Sequence, residues 1–207
     1  MSNLTDIRVR KMTEEDLPEI ADILARSFVD NLVYNYVVPD KEACKIFTKD
    51  FLTFRLRVGL HYEAAYITED KKGVAVWLAP GQGVTPELLG ALGGIAALQA
   101  AGAESIQKFQ GFAQFSGMKE AELAPMPHYL LSPFGVEPEM QGKGIGGALL
   151  RTQLEVFDAN GDVCFIDTQT EENEEMYKHF GFETVFKGVI PNTPVPHIAM
   201  IRYPISR

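Results

Sequence analysis

The stretch that most constrains this chain is Val136-Glu-Pro-Glu-Met-Gln-Gly-Lys-Gly-Ile-Gly-Gly-Ala-Leu-Leu150. A strand-like run, Tyr129 to Val136, leads into it. Pro138 ends that run, because proline lacks a ladder donor and fixes φ. Glycines follow at positions 142, 144, 146 and 147, and an apolar helical run begins at Ala148. Glycine lets the backbone turn tightly and bring bare N–H groups close to a ligand. The helix that follows adds unpaired N–H groups and the positive end of its dipole. A strand, a glycine turn and a helix start in that order suit a phosphate or pyrophosphate. Lys143 adds a point charge.

Two ligand readings compete for this loop, beside the plain one of a glycine-rich turn that caps a helix. Gly142-x-Gly144-x-x-Gly147 satisfies the dinucleotide fingerprint, and Asp167 stands about 20 residues on, where a ribose-binding acid belongs. That fingerprint should follow a strand directly and open a long βαβ array. Here Pro138-Glu139 intervenes, and only about 60 residues remain after Gly147. The second reading is Gln141-Gly142-Lys143-Gly144-Ile145-Gly146, which fits Q/R-x-x-G-x-G/A. With its Val136-x-Pro138 lead-in, it closely resembles the coenzyme A pyrophosphate loop of the GNAT superfamily of N-acetyltransferases.

The chain has 207 residues, 46% hydrophobic and 23% charged, which suits one soluble globular domain over 1–207. A net charge of −9 disfavours a nucleic-acid partner, which needs a basic footprint. Cys44 and Cys164 lie far apart, and the four histidines are scattered, so neither a disulfide framework nor a metal site is expected. The N-terminus, Met-Ser-Asn-Leu-Thr-Asp-Ile, lacks the pattern of a signal peptide. The most apolar stretch, Leu88 to Ala103, is too short for a membrane span. A cytoplasmic protein without a membrane partner is the expectation.

Taken in order, Ile7 to Met12 alternates as a half-buried strand does. Thr13 with acids behind it starts a helix carrying Leu17, Ile20, Ala21, Leu24 and Phe28. Pro39-Asp40 opens a second helix with Cys44, Phe47, Phe51, Phe54 and Val58 on one face. That stripe reads as core, or in its N-terminal part, with Tyr34 and Tyr36, as the wall of an acceptor pocket. Tyr62 to Thr68 and Val74 to Leu78 read as a hairpin. Trp77 is either core filler or a pocket wall with its N–H as a handle.

Residues 82–125 read as a helical insertion. One helical face spans Leu88 to Leu98, and a second segment runs from about Glu104 to Gln114, with Met118 and Met126 in loops beyond. His128 to Val136 is the next strand, and Ser132-Pro133 inside it predicts a bulge or an unpaired edge. After the loop, a helix over Ala148 to Phe157 ends at Asn160-Gly161, and Val163 to Thr168 forms a buried strand. A short helix from Thr170 to Lys178 stops at Gly181, and Val185 to Ile190 and His197 to Tyr203 close the sheet.

The resemblance to the GNAT superfamily covers nearly the whole chain. In layout it is nearest to the puromycin N-acetyltransferase type, through Val74-Ala-Val-Trp-Leu-Ala-Pro80, the insertion after it, the glycine loop, Tyr177-x-x-x-Gly181-Phe182 and the proline-rich link before the last strand. It implies an α/β (α+β) fold: a mixed, mostly antiparallel sheet of six or seven strands flanked by helices, with the insertion between strands three and four.

The resemblance also implies acetyl-CoA as co-substrate, without a metal. Main-chain contacts from Phe134 and Val136, and the loop residues Gln141, Gly142, Lys143, Gly144, Gly146 and Gly147, would hold it. Tyr177 would protonate the leaving thiolate, and Asn173, one helical turn earlier, would bond the cofactor's arm. A core aromatic with a satisfied hydroxyl is the plain reading of Tyr177. For the base, His128, His197, Glu122, a water chain and no dedicated group all stay open. The expected reaction is direct transfer of acetyl to a primary amine of a small molecule, by a monomer or homodimer. An acyl-CoA-binding module without turnover, a protein N-acetyltransferase and a nicotinamide-dependent oxidoreductase are the alternatives.

Overall fold

The computed structural model describes residues 7–205; most of the N-terminal stretch read above for a leader, residues 1–6, lies outside the described residues. Seven strands form one sheet: β1 (Val9–Lys11), β2 (Ala65–Thr68), β3 (Gly73–Leu78), β4 (His128–Val136), β5 (Val163–Thr168), β6 (Glu183–Val189) and β7 (Pro196–Arg202). Their spatial order is β1-β2-β3-β4-β5-β7-β6. Only β4 and β5 pair in parallel among the described strands; every other neighbour is antiparallel. The mixed, mostly antiparallel sheet expected from the sequence is therefore the one observed.

Among the described residues, eight α-helices cover this sheet: α1 (Leu17–Ser27), α2 (Leu32–Val37), α3 (Lys41–His61), α4 (Pro86–Ala91), α5 (Gly94–Ala101), α6 (Ala103–Leu123), α7 (Ile145–Asn160) and α8 (Glu171–Lys178). β3 is buried along its whole length, as a central strand covered on both faces must be. Its side chains alternate. Val74, Val76 and Leu78 pack among residues of α1 and α3, whereas Ala75 and Trp77 pack with Leu149, Leu154 and Phe157 of α7. β5 splits the same way. Cys164 and Ile166 join the α7 core, and Phe165 packs beneath α6 with Ala199 and Ile201. Trp77 is thus core filler: it is 2% exposed and meets Phe157 edge-on at 5.2 Å.

Several boundaries differ from the sequence reading, each for a local reason. Tyr62 caps α3, its N–H bonding Val58 O at 3.2 Å, so β2 starts only at Ala65. The short helix α2 went unseen; Asn31 caps it by accepting from Tyr34 N at 3.0 Å. The face from Leu88 to Leu98 is two helices rather than one, broken at Gly93 with φ +94°. α6 continues to Leu123, so Met118 is helical and not in a loop. Gly111 and Gly117 lower its propensity, but Phe109, Phe112 and Phe115 keep one face apolar and pack it onto the body. α7 begins at Ile145 rather than Ala148, which puts Gly146 and Gly147 inside its first turn.

Candidate functional site

The site begins with an opening in the sheet. β4 pairs β5 at His128↔Val163, Tyr129↔Cys164 and Leu130↔Phe165, and no further. β5 stays on β7 as far as Thr168↔Ile198. Beyond Leu130, then, β4 and β5 part. The cause lies in β4 itself. Trp77 pairs Leu131 and Ala75 pairs Phe134, so Ser132 and Pro133 face the single residue Val76. That two-for-one count is a β-bulge, and the Ser132-Pro133 peptide in it is cis. Pro133 offers no N–H, and the Ser132 carbonyl accepts instead from Arg55 Nη2 at 3.1 Å.

The register past the bulge aims the backbone into this opening. Glu137 N donates to Lys72 O at 2.9 Å, toward the β3 side. Antiparallel residues alternate between groups that face the partner and groups that face away. Phe134 and Val136 therefore direct their main-chain N–H and C=O groups away from β3, into the gap. These are the two residues the sequence reading named for main-chain contacts. Val136 O receives Gln141 Nε2 at 3.3 Å. Gln141 thus braces the strand end to the glycine loop.

The loop passes through a 3-10 turn, Pro138–Met140, and reaches α7 at Gly144, whose φ is +87°. Gly142 has φ +72°. The first helical bond runs from Ala148 N to Gly144 O at 2.9 Å. It leaves the N–H groups of Ile145, Gly146 and Gly147 without intrahelical acceptors. Gly146 is a glycine because of its neighbour: a Cβ there would sit 3.0 Å from Phe134 Cζ. Lys143 is exposed, and among the described residues its Nζ has only a 3.7 Å contact with Met140 Sδ. Arg151, which the sequence reading passed over, lies along Gly147, where a Cβ would come within 2.6 Å of its Nη2. Its guanidinium caps the Phe180 ring at 5.6 Å. An arginine one turn after a helix-start glycine was the signal. Lys143 in the loop and Arg151 one turn into the helix flank these bare N–H groups, an arrangement suited to an anion on a chain of net charge −9.

Tyr177 stands across the gap from this loop. It is 7% exposed, and its ring lies 6.3 Å from Phe134 and 5.7 Å from Phe182. Its hydroxyl bonds no other described residue. Burial, with a smaller push from the Asp167 charge, raises its pKa well above the ordinary phenol value. Tyr177 is therefore a neutral proton carrier at any ordinary pH. Asn173 lies one turn earlier but is exposed, and its Nδ2 donates to Thr168 Oγ1 at 3.2 Å. Its backbone N–H bonds the Thr170 cap at 3.3 Å. It sits at the mouth of the gap, with its side chain tied to the end of β5.

A family model described as the acetyltransferase (GNAT) domain matches residues 97–184. That span runs from α5 through the bulge, the loop and Tyr177. Solved structures align over almost the whole chain. A histone acetyltransferase-related protein from Corynebacterium glutamicum shares 17% identity at a TM-score of 0.61, covering 97% of this chain and 98% of its own. Arylalkylamine N-acetyltransferase 2 from Aedes aegypti shares 14% at 0.66, covering 97% and 100%. Polyamine N-acetyltransferase from Drosophila melanogaster shares 14% at 0.63, covering 96% and 100%. The chain has the GNAT acetyltransferase fold.

On the other face of this GNAT sheet, α6 closes over the gap. Of its 21 residues, Ser105 alone is buried and Ile106, Phe109, Phe112 and Phe115 pack partly buried on the core, so α6 is a shallow outer layer. Phe109 meets Phe51 at 4.6 Å, Phe115 meets His197 at 5.2 Å, and Ser116 Oγ donates to Asp167. Beneath it lie Tyr34, 9% exposed, and the partly buried Arg55. Burial lifts the Tyr34 phenol to about 12 and pulls the Arg55 guanidinium down. Sequence reading missed Arg55 and the place of Asp167. The signals were a cation on the apolar face of α3 and an acid inside the run Val163-Cys-Phe-Ile-Asp167.

The base candidates scatter. His128 sits at the paired end of β4, on the order of 20 Å along the strand from Phe134. Its Nε2 meets Glu120 at 3.1 Å and its Nδ1 meets Met126 O at 2.8 Å, beside a cavity of about 270 Å³ rimmed by Pro80, Gln82 and Glu120. The Glu120 bond raises its pKa. Glu122 faces outward and holds Lys119 at 2.8 Å. His197 is fully buried, and neither ring nitrogen has a partner among the described residues. Burial lowers its pKa, so it stays neutral.

Proposed function

We propose that the chain, as one domain over 1–207 with 82–125 as its lid, moves an acetyl group from acetyl-CoA directly to a primary amine of a small molecule. The observation that carries this reading is the β4–β5 opening, with the helix-start anion site on one side of it and Tyr177 on the other. A thioester arm laid along β4 meets the outward main-chain groups of Phe134 and Val136. A backbone N–H there serves as oxyanion donor. The amine nitrogen attacks the thioester carbonyl, the C–S bond breaks, and the sulfur leaves with the electron pair. Tyr177 gives that thiolate its proton and regains one from solvent, and the amine's proton is lost to solvent or a neighbouring base. Gly142, Lys143, Gly144, Gly146, Gly147 and Arg151 hold the pyrophosphate, with Gln141 fixing the loop and Asn173 at the arm's entrance.

A small amine as acceptor suits the neighbours, whose names describe enzymes of arylalkylamines and polyamines. No described helix is long and apolar enough to cross a membrane. The free thiols Cys44 and Cys164 fit the cytoplasm. The test is release of free CoA over a panel of small amines and lysine peptides, with wild type and Tyr177→Phe. The reading predicts turnover on a small amine that collapses in the variant. CoA binding without release on any acceptor would favour the regulatory module, and release on peptides alone would favour a protein acetyltransferase.

A further inference from the structure

Two opposite charges lie on the two sides of the gap, one tied to β4 and one carried by β5. Arg55 reaches in from α3 and is tethered to β4, where its Nη2 donates to Ser132 O and Oγ, both at 3.1 Å. Asp167 reaches in from β5 and holds the lid through one carboxylate oxygen on Ser116 Oγ. No ion pair joins them, and neither has another oppositely charged partner within ion-pair distance among the described residues. The Asp167 charge is felt at Arg55, and also at Tyr34 and Tyr177. Glu120 faces Arg55 too, but it is engaged with His128 at 3.1 Å.

Arg55 has five N–H donors in a flat fork, and among the described residues only Nη2 is in use. A guanidinium half-withdrawn from water and left without a carboxylate is costly unless a ligand completes it. Its fork matches a carboxylate in a bidentate way that a lone ammonium or hydroxyl does not. Asp167 supplies the complementary end, beside the tyrosine assigned to the leaving sulfur. Resting on the acyl-transfer reading above, we propose that the acceptor is an aminocarboxylate, an amino acid or a close relative, with its carboxylate on Arg55 and its amino group at Asp167. Acceptor entry then requires Ser116 to release Asp167, which the shallow packing of α6 permits.

The experiment compares matched pairs: arginine with agmatine, tryptophan with tryptamine, phenylalanine with phenethylamine. Acceptor affinity is measured by calorimetry on the CoA-saturated protein, and turnover by CoA release. Wild type should favour the carboxylate member of at least one pair by tenfold or more in Kd and in kcat/KM. Arg55→Gln should bring that ratio to about one, and Arg55→Lys should restore part of it. Thermal melts of both variants report whether they fold, and the wild-type ratio decides the matter even where they do not. Equal or better binding of the decarboxylated members, or a ratio that survives Arg55→Gln, would overturn the proposal. Binding of a carboxylate member with no CoA release would sink the acyl-transfer reading while leaving the assignment of Arg55 standing. CoA binding with no affinity for either member of any pair would do the reverse.

Discussion

On the α7 face, the groups that line the opening come from one continuous piece of chain, from the bulge at Ser132-Pro133 to Tyr177. On the α6 face, Arg55, Ser116, Ser132 and Asp167 come from four separate elements. Arg55 and Ser132 are 77 residues apart, and Ser116 and Asp167 are 51 apart. The first face is built of backbone: glycines, a proline bulge and a helix start, which many chains share. The second is built of side chains brought together only by the finished fold. On the function proposed above, the first part would handle a common donor and the second would select an individual acceptor.

Substitutions on the two faces should therefore fail differently. The largest effect is expected from Tyr177→Phe, which removes a hydroxyl and keeps the ring against Phe134 and Phe182. Loss of a positioned proton donor predicts a fall in kcat of about 10²–10⁴. The acetyl-CoA Kd should stay within about threefold. Because burial raises the Tyr177 pKa, no loss of activity from its ionisation is expected below about pH 10. A variant that keeps full kcat would return Tyr177 to the core.

Next is Gly144→Ala. Its φ of +87° disfavours a side chain, so stability should fall by about 1 kcal/mol in a urea titration. Acetyl-CoA affinity should weaken by roughly tenfold in calorimetry, from the loss of loop geometry. The acceptor KM should hardly move. A change in acceptor KM alone would merge the two faces.

His197 gives a smaller effect, read through pH. Burial lowers its pKa in the folded chain, so between the folded and unfolded values the unfolded chain binds the extra proton. Stability should then fall as pH drops below roughly 6.5, the ordinary histidine value. His197→Leu should flatten the drop in urea midpoint between pH 7.5 and pH 5.5. An unchanged drop would mean that the imidazole is not sealed. Glu174 acts lower on the scale: bonds from Thr184, Lys187 and Lys178 hold it at about 2, so its contribution is lost only as pH falls from the ordinary carboxylate range through that value. The smallest effect is expected from Ser116→Ala, about 0.5–1.5 kcal/mol for one hydrogen bond. Hydrogen exchange should quicken in α6 and stay the same in α7.

The same contrast explains what the sequence could tell. The strand, bulge and glycine loop were legible because each is a local pattern of backbone demands, read from His128 to Leu150; Tyr177 was singled out by the family resemblance around Gly181. All seven strands were found, though β2 began late because Tyr62 was needed to cap α3. The lid was seen as helical, but the end of α6 beyond Gln114 was lost. The predicted segment stopped near Gln114, and the packing of Phe115 against Phe186 and His197 shows why the helix continues. Arg55 and Asp167 carried signals, as charges inside apolar runs, but nothing local said that they face one gap. His128 looked available from sequence, and the fold puts it at the far end of β4.

The most direct test of the central claim is a thermal-shift series with acetyl-CoA, CoA, NAD and NADP on the wild-type chain. A ligand at about 100 times its Kd stabilises by roughly 2.7 kcal/mol, which for a chain of this size is about 5–10 °C in Tm. A shift of that size with the two CoA forms, and none with NAD or NADP, is what the opening beside the glycine loop predicts. A shift with a nicotinamide dinucleotide alone would contradict it and return the loop to its other fingerprint.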